Sequence, residues 1–414
     1  MKKVFIVTGR GSLGGHNRSA LISAREMIRR GYDVHTVTGG DLDIYKGYDI
    51  KLHKISTSKY MSYNFIKLKT ILDFFSYANK HKPDIIHAFD NLGLMIGYIY
   101  SLFNNVKLVN TICGGPIANT FYYANMRPVI VFSEEQYDKY IENGFYNRDN
   151  LFISPGRLDL DFEVYSPEEI SRYKDEVGLK PNHNIVLMIS RIHSGKANSI
   201  RHFINVAQHG NNKDNLQFIL VGMNQNEKLF FEISEEANKI NKKFGYQRII
   251  ITEKESQEAR KLLPIAKIAV GIGRTAYESM TKGIPTLVIG EYGFAGLAYG
   301  ETCDELAKYN FSGRNAKTIE DNHKNEKVSY KVISKLKTDE NYYQLVSVEG
   351  KNWGHKNMDI QTTGELYHTL YNRNSNFYIK PNIISVIKST IYHYIRKCYY
   401  YIRQIQKVKY INYP

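Results

Sequence analysis

The stretch AVGIGRTAYESMTKGIPTLVIG, residues 269–290, decides the fold of this chain. It predicts a buried β-strand that ends at Val270, a Gly-x-Gly turn, a helix that begins near Thr275, and a second buried strand. Gly283 and Pro285 are residue types that end such a helix and start the next strand. A strand, a helix and a parallel strand in this order form a βαβ unit, the repeating element of α/β sheets.

The same alternation of short apolar runs with amphipathic segments extends along most of the chain, in two successive sets. In the first set the predicted strands are Val4–Thr8, Val34–Thr38, Ile85–Phe89, Lys107–Thr111 and Val129–Phe132, and the predicted helices are Ala20–Arg30 and Glu134–Asn143. In the second set the predicted strands are Ile185–Ser190, Gln217–Val221, Arg248–Thr252, Ile268–Val270 and Thr286–Ile289. The doubled pattern predicts two Rossmann-like α/β domains, joined between Pro155 and Pro181, that face a shared ligand across a cleft.

Composition and charge narrow the class of protein. The chain has 414 residues, 43% of them apolar, which excludes a disordered, collagen-like or disulfide-stapled protein. Its net charge of +15 suggests a polyanionic partner, meaning nucleic acid, an anionic membrane or a phosphorylated substrate. Cys113, Cys303 and Cys398 are too widely spaced for a zinc site or a disulfide framework. The N-terminus lacks the apolar run of a signal peptide, and Leu92–Phe103 is too short to span a bilayer, so we expect a cytoplasmic protein.

The end of the chain, residues 374–414, departs from the α/β pattern. Its charged residues are all cations: Lys380, Lys388, Arg396, Lys397, Arg403, Lys407 and Lys409. Apolar residues recur at the three- and four-residue spacing of one helix face: Ile384, Ile387, Ile391, Ile395, Cys398, Ile402 and Ile405. Nucleic-acid binding lacks an accompanying motif, while a coiled coil or packing on the chain's own domain stays open. We interpret residues 382–409 as an amphipathic helix on an anionic membrane surface.

Polar residues that suit a diphosphate follow two of the predicted strands in the second set. Arg191 and Lys196 come directly after one strand and form a cationic pair, although two solvated loop cations would look the same. After the next such strand, Gly273 allows close backbone approach at a helix N-terminus, where Arg274 and Thr275 add charge and a hydroxyl. One turn into that helix, Glu278 can accept hydrogen bonds from a ribose diol, or is an ordinary exposed glutamate.

The N-terminal TGRGSLGGH has its own glycine pattern. Gly9, Gly11 and Gly14 match G-x-G-x-x-G after a predicted strand, and Asp41 follows the second strand. This arrangement is typical of nicotinamide or flavin dinucleotide sites. The same turn can instead bring Gly14 and Gly15 against a single diphosphate, or simply open an α/β domain.

Together these features resemble the retaining GT-B glycosyltransferases of glycosyltransferase family four, over roughly Lys2–Arg373. The resemblance rests on Gly14-Gly15, PDIIHAFD (Pro83–Asp90), VFSEEQYDKYIENG (Val131–Gly144), SPGRLDLDFE (Ser154–Glu163), the Arg191/Lys196 pair, LVGMN (Leu220–Asn224) and GIGRTAYESMTKGIP (Gly271–Pro285). It implies that Arg191 and Lys196 bind the donor diphosphate and that Glu278 holds the nucleotide ribose. It also implies a donor site lined by Gly14, Gly15, Gly222, Thr252, Gly273, Arg274 and Thr275.

Two positions depart from the family pattern. Val270 occupies the place of a glutamate that lies eight residues before Glu278 in many members and contacts the transferred sugar. A family histidine in a T-x-H-G segment is replaced by Cys113. His87, at the end of its predicted strand, is the remaining candidate for a catalytic contact with the sugar, and a structural role is its alternative.

The resemblance implies a GT-B fold with an acceptor-side domain over 1–160, a donor-binding domain over 161–358, a crossing helix over 359–373 and the basic tail over 374–414. It implies transfer of a sugar, with retention, from a nucleotide-diphosphate sugar to a glycan or polyprenyl-linked acceptor, in surface polysaccharide assembly at the inner face of the cell membrane. No cofactor is implied.

Two Asp-x-Asp pairs, Asp41/Asp43 and Asp159/Asp161, have the spacing of a cation site but precede the predicted nucleotide-binding strands. We interpret them as loop acids and expect no metal. Two other functions stay open from the residues alone: an NAD-type oxidoreductase that uses the N-terminal glycines, and a non-catalytic sugar- or membrane-binding scaffold.

Overall fold

The structure of the protein is a computed structural model. It describes residues 1–9, 15–39, 42–56, 58–60, 63–65, 68–114, 128–142, 144, 146–318, 326–374, 378, 384, 387, 391 and 395. The chain divides into two compact units, of which unit 1 comprises Met1–Arg157 and Ile360–Pro414, and unit 2 comprises Leu158–Asp359.

Unit 1 is built on a parallel sheet with the strand order β3-β2-β1-β6-β7-β8-β9. Its strands are β1 (Lys3–Thr8), β2 (Asp33–Thr38), β3 (Lys51–Lys54), β6 (Ile85–Ala88), β7 (Lys107–Ile112), β8 (Val129–Val131) and β9 (Leu151–Ile153), and a separate hairpin is formed by β4 (Ser58–Tyr60) and β5 (Tyr63–Phe65). Its helices before the chain crosses to unit 2 are α1 (Gly15–Arg29), α2 (Leu68–His81), α3 (Asn91–Phe103) and α4 (Glu134–Glu142). Helices lie on both faces, so the central strands are apolar on both sides.

Both faces of the unit 1 sheet carry an apolar core. On one face Phe5 and Val7 of β1 pack with Phe74 of α2 and residues of α3, all buried. On the other face Val4 and Ile6 pack with residues of α1 that include Met27. Strand β1 is therefore buried on both sides, as its continuous apolar run requires.

Unit 2 contains a second sheet with the order β12-β11-β10-β13-β14-β15, parallel except for the last strand. Its strands are β10 (Asn184–Ile189), β11 (Leu216–Val221), β12 (Ile249–Thr252), β13 (Ile268–Gly271), β14 (Thr286–Gly290) and β15 (Gly293–Leu297). Its helices are α5 (Pro167–Val177), α6 (Ala197–Ala207), α7 (Glu227–Phe244), α8 (Arg274–Thr281), α9 (Gly300–Lys308), α10 (Glu326–Thr338) and α11 (Glu340–Met358). As in unit 1, apolar clusters cover both faces of the sheet.

The chain returns to unit 1 in α12 (Ile360–Asn372), which packs against α1. Gly364 allows this close approach, because a Cβ there would lie 2.6 Å from Cγ of Glu26. Tyr367 and Tyr371 of α12 are buried in the core of unit 1 beside β1 and β6. The last helix of the chain before the tail is therefore an integral part of the first unit's core.

The tail predicted to be amphipathic is described at only a few positions. Ile384, Ile387, Ile391 and Ile395 are helical, and each of these four side chains is between 51% and 62% exposed. The cations of this segment lie outside the described residues. Within the described part of the chain, no helix combines the length and the apolar character needed to cross a bilayer.

Candidate active site

The unit 2 sheet changes direction at β10. From β10 the chain continues first to β11 on one side and later to β13 on the other, so the loops that leave β10 and β13 separate from one another. At such a switch point a crevice opens at the carboxyl edge of a parallel sheet, and ligands of α/β proteins bind there. Arg191 and Lys196 follow β10, and Gly273 follows β13. The structure thus places the predicted diphosphate residues at the edge of the sheet that is suited to hold a ligand.

A hydrogen bond between Thr275 and Ile189 connects the two sides of this crevice, α8 and the end of β10. The Thr275 hydroxyl donates to the backbone carbonyl of Ile189 at 3.2 Å, which ties the first turn of α8 to the end of β10. Gly273 precedes α8 with φ 54° and ψ −124°, a conformation that only glycine adopts readily. Its missing Cβ faces open space, since no atom lies within 4 Å of that position. The first backbone amides of α8 are therefore accessible to an anion.

Lys196 is half-buried in the loop after β10. Within the described residues its ammonium group makes neither a hydrogen bond nor an ion pair. Burial, together with the positive charges of Arg191 and Arg314, lowers the pKa of Lys196 to about 8, against a smaller raising effect of Glu291. A cation held under these conditions without a counter-ion is suited to receive an anionic group.

Arg314 is the cation that the sequence did not reveal. Gly273 donates its backbone N–H to the carbonyl of Phe311 at 2.7 Å, so the segment that leads to Arg314 lies directly against the turn before α8. Gly313, at φ 76°, packs on Gly290 at the end of β14, where an added Cβ would lie 2.7 Å from the Gly290 Cα. In the sequence, Arg314 is marked only by the glycine before it in FSGR. That pattern does not indicate a site residue unless the packing of Gly313 against Gly290 is known.

Glu278 is buried, contrary to its alternative as an exposed helix residue. It is 5% exposed, and Arg274 donates to its carboxylate at 3.3 Å across one helical turn. Because Arg274 occupies one carboxylate oxygen, the other acceptor positions are left to bind hydroxyl groups. This hydrogen bond holds the side chains of Arg274 and Glu278 together in the first half of α8.

Gly222 and Thr252 lie at the ends of β11 and β12, on the same carboxyl edge. Gly222 donates its backbone N–H to the carbonyl of Thr252 at 3.0 Å. A Cβ at Gly222 would lie 1.7 Å from the carbonyl oxygen of Ser190, so only glycine fits beside the end of β10. The Thr252 hydroxyl accepts from the backbone N–H of Lys254 at 3.0 Å. The close packing of the backbone at this point therefore requires a glycine at position 222 whether or not a ligand binds.

Val270 is fully buried in β13. It belongs to the apolar cluster that includes Met188 and Leu287 on the neighbouring strands. The side chain in the place of the family glutamate therefore contributes to the sheet core of unit 2. The acid whose charge acts on Lys196 is instead Glu291, which follows β14.

Unit 1 has a switch point of its own at β1, and there Gly9 has a packing role. Its backbone N–H donates to the Asp90 carboxylate at 2.9 Å, and a Cβ would lie 2.2 Å from the Cβ of Leu92. Gly9 is thus required by the approach of α3, independently of a dinucleotide. Gly15 is the exposed first residue of α1, with open space around it. Gly11, Gly14 and Asp41 lie outside the described residues.

His87 is fully buried in β6, and both of its ring nitrogens have partners. Nδ1 lies 2.6 Å from the Tyr371 hydroxyl and Nε2 lies 2.8 Å from the Thr111 hydroxyl. Burial lowers the pKa of His87 to about 3, so the ring is neutral at physiological pH. Tyr367 packs edge-on against the same ring. These contacts are those of a structural histidine that connects the sheet to α12.

Within the described residues, no three His, Cys, Asp or Glu side chains come together in a way that could hold a metal ion. Asp159 and Asp161 lie near the first residue of unit 2, and among the described residues neither belongs to such a cluster. Asp41 is outside the described residues.

Comparisons with known proteins bear on the family and the fold of this chain. Residues 18–152 match a family model described as "Glycosyl transferase 4-like". The HepE protein of Anabaena, solved with UDP and glucose, matches with a TM-score of 0.66 and 17% identity over 90% of this chain and 100% of that protein. A glycosyltransferase of Rickettsia africae matches with a TM-score of 0.65 and 16% identity over 89% of this chain and 97% of that one. No curated protein matches the sequence.

A third solved structure extends the comparison. WaaG, a glycosyltransferase involved in lipopolysaccharide biosynthesis, matches with a TM-score of 0.58 and 12% identity over 90% of this chain and 100% of WaaG. The family model confirms the predicted resemblance to glycosyltransferase family four over residues 18–152. The predicted fold is confirmed over nine-tenths of the chain. The protein has the two-sheet α/β fold of the GT-B glycosyltransferases.

Proposed function

We propose that this protein is a glycosyltransferase that moves a sugar from a nucleotide-diphosphate sugar to a glycan or lipid-linked acceptor. One observation carries the proposal: at the switch point of the unit 2 sheet, Lys196 forms no ion pair with any described residue and lies beside the charges of Arg191 and Arg314. The crevice is completed by Gly273, whose missing Cβ exposes the start of α8. Cations and a helix N-terminus at one point suit the charge of a leaving diphosphate.

Each residue has a distinct task in this proposal. Arg191, Lys196 and the first amides of α8 stabilise the negative charge that develops on the diphosphate as the bond to the sugar breaks. Glu278, oriented by Arg274, accepts hydrogen bonds from the nucleotide ribose. Because these groups neutralise the diphosphate directly, the reaction is proposed to proceed without a metal ion. Retention at the anomeric carbon and a role in surface polysaccharide assembly are the expectations that the family resemblance adds.

Nucleotide binding tests the proposal. In a thermal-shift screen against UDP, GDP, ADP, CDP and NAD, one nucleoside diphosphate is expected to raise the Tm by roughly 5–10 °C when it is present at about a hundred times its Kd. The Lys196→Ala variant is expected to lose most of that shift, because the diphosphate loses its half-buried cation. Lys239→Ala is the matched control, since Lys239 is exposed on α7, and it should keep the full shift.

The same screen separates the alternative functions. Stabilisation by NAD alone would identify an oxidoreductase and overturn the proposal. Failure of all four nucleoside diphosphates to shift the Tm would favour a scaffold without donor binding. A shift that is equal in the wild-type protein and in Lys196→Ala would place the nucleotide elsewhere.

We further propose that the tail holds the enzyme on the cytoplasmic face of an anionic membrane. Four isoleucines, Ile384, Ile387, Ile391 and Ile395, are exposed and helical and recur at three- and four-residue spacing. The sequence from 374 to 414 adds seven cations and no acid. Apolar side chains in the acyl boundary with cations at the phosphate level are typical of helices that lie in a membrane interface.

Liposome flotation tests the tail. The Ile387→Gln/Ile391→Gln double variant is expected to float at least tenfold less well with vesicles that contain phosphatidylglycerol, because burial of each isoleucine contributes roughly 1.5–3 kcal/mol. The control is Leu345→Gln/Val348→Gln, which removes two side chains of α11 with similar exposure. Equal flotation of both variants would contradict membrane attachment through the tail.

A further inference from the structure

A cavity of about 650 Å³, open to solvent, lies in unit 1 at the carboxyl edge of the sheet. It is bounded by Gly39, which follows β2, by the end of β3 at Lys54 and by one side of α2. Nothing in the proposed donor chemistry uses this cavity, because the donor residues that the structure describes belong mainly to unit 2. The carboxyl ends of parallel strands are nevertheless where α/β proteins bind ligands.

Three ammonium groups surround the cavity. Lys54 comes from the end of β3, whereas Lys69 and Lys80 come from the first and last turns of α2. All three are exposed, and among the described residues none of them forms an ion pair. Lys69 and Lys80 are three helical turns apart and lie on the same side of α2, separated by about 16 Å along its axis. A single small anion therefore cannot contact both of them, whereas an extended ligand can.

Among the described residues that line the cavity, Asp73 is the one acid, and its carboxylate makes a structural hydrogen bond. Its carboxylate accepts the backbone N–H of Ser56 at 3.2 Å, and the Thr70 hydroxyl donates to the carbonyl of Ser56 at 2.5 Å. These two bonds hold the chain after β3 against α2. With one carboxylate and three ammonium groups, the lining keeps a net positive charge.

The remaining wall of the cavity is aromatic and hydroxylic. His53 stacks flat on Tyr77, with ring centroids 3.8 Å apart and an interplanar angle of 7°. Ser56 and Ser76 add hydroxyl groups to the lining. Ammonium groups, hydroxyls and flat rings together match a saccharide that carries anionic substituents better than they match a neutral glycan.

We infer that this cavity binds the acceptor, and that the acceptor is an anionic glycan whose phosphate or carboxylate groups contact Lys54, Lys69 and Lys80. The inference rests on the proposed function, because it takes the acceptor to be a saccharide. It adds the charge of that saccharide and the face of unit 1 that recognises it.

Lysine footprinting tests the inference on the full-length protein without requiring turnover. The protein is acylated with an N-hydroxysuccinimide ester in the presence of a galacturonic acid hexamer, of a glycerol phosphate oligomer, or of maltohexaose as the neutral counterpart. At least one of the two anionic oligomers is expected to slow modification of Lys54, Lys69 and Lys80 at least threefold, whereas maltohexaose is not. The oligomer that protects distinguishes carboxylate from phosphate. Lys139, on α4, is the control and should not be protected.

A variant links the protection to this cavity. Lys54→Ala/Lys69→Ala/Lys80→Ala removes exposed side chains only, so it should fold, should keep the nucleotide-dependent thermal shift, and should lose affinity for the protecting oligomer at least tenfold. Absence of protection by both anionic oligomers, or equal protection by maltohexaose, overturns the inference while leaving the nucleotide shift, and so the proposed function, intact. Equal protection by a single-stranded oligonucleotide of matched charge also overturns it, because the site would then recognise charge without the saccharide.

Discussion

The Lys196→Ala variant is expected to transfer sugar roughly a hundred- to a thousandfold more slowly than the wild-type enzyme. Lys196 is the half-buried cation of the crevice, and its ammonium group has no protein counter-ion among the described residues. Its charge is therefore available to the leaving diphosphate, on which negative charge develops in the transition state. The measurement is kcat/KM for the nucleotide sugar identified by the thermal-shift screen.

The pH dependence of the rate identifies the group. Burial and the charges of Arg191 and Arg314 lower the pKa of Lys196 to about 8, so the free enzyme loses this charge as the pH rises through that value. The kcat/KM of the wild-type enzyme is therefore expected to fall above about pH 8. In Lys196→Arg the charge persists, since arginine does not deprotonate in this range, and the alkaline fall should disappear even if the absolute rate is lower.

Stability provides the control for this experiment. The pKa of Lys196 is about 8 in the fold against 10.5 in the unfolded chain, so its charge destabilises the unliganded protein fully below about pH 8 and ceases to do so as the pH approaches 10.5. Lys196→Ala should therefore keep or raise the Tm at pH 7. A variant with a lowered Tm and an unchanged pH profile would show that Lys196 supports the fold and does not act on the diphosphate.

The central strands of both sheets could be predicted because each is marked by its own local run of apolar residues. All ten predicted strands occur in the structure, each within one residue at both ends. Short continuous apolar runs between turn residues are typical of strands that are buried on both faces of a parallel sheet. The strands that the sequence did not predict are β3, β9 and β15, in addition to the β4–β5 hairpin. Strand β3 reads KLHK and is exposed at both ends, and β15 contains two glycines. Edge strands of this kind lack the apolar run by which the others were recognised.

The ends of helices and part of the candidate donor site could not be predicted from the local sequence pattern. The predicted helix Ala20–Arg30 begins at Gly15, because the polar first turn has no apolar periodicity. The spacing after β10 and β13 selected Lys196 and Gly273, and the topology brings these two residues to one switch point. Their role in donor binding stays a prediction. Arg314 could not be found in this way, because its position depends on the contact between Gly290 and Gly313. That contact is set by tertiary packing.

His87 illustrates a different limit. A histidine at a strand end of a predicted α/β domain has the same sequence signal whether it contacts a substrate or the core. What distinguishes the two is Tyr371, which lies 284 positions away and reaches the ring at 2.6 Å. The packing of α12 on unit 1 is thus the information that the sequence around His87 does not contain.

Removing the guanidinium of Arg248 is expected to destabilise the protein by about 3–5 kcal/mol, because the Asp214 carboxylate would be left in the interior without its charged partner. Arg248 is 0% exposed and donates two hydrogen bonds of 2.7 Å to the carboxylate of Asp214. It also donates to the backbone carbonyls of Ala207 at 2.6 Å and His209 at 2.8 Å. Urea unfolding of Arg248→Met at pH 7 measures the loss.

A second ion pair in unit 2 serves as the matched control. Arg201 pairs with Glu232 at 2.6 Å, but each side chain is more than a third exposed, so Arg201→Met should cost less than about 1 kcal/mol. Burial alone would raise the pKa of Asp214, but the hydrogen bond and charge of Arg248 outweigh it and keep that pKa below its ordinary 3.8. The stabilisation by Asp214 is therefore complete above about pH 4 and is lost as the pH falls through the lower native pKa. If Arg248→Met were no more destabilising than Arg201→Met, the buried pair would not stabilise unit 2.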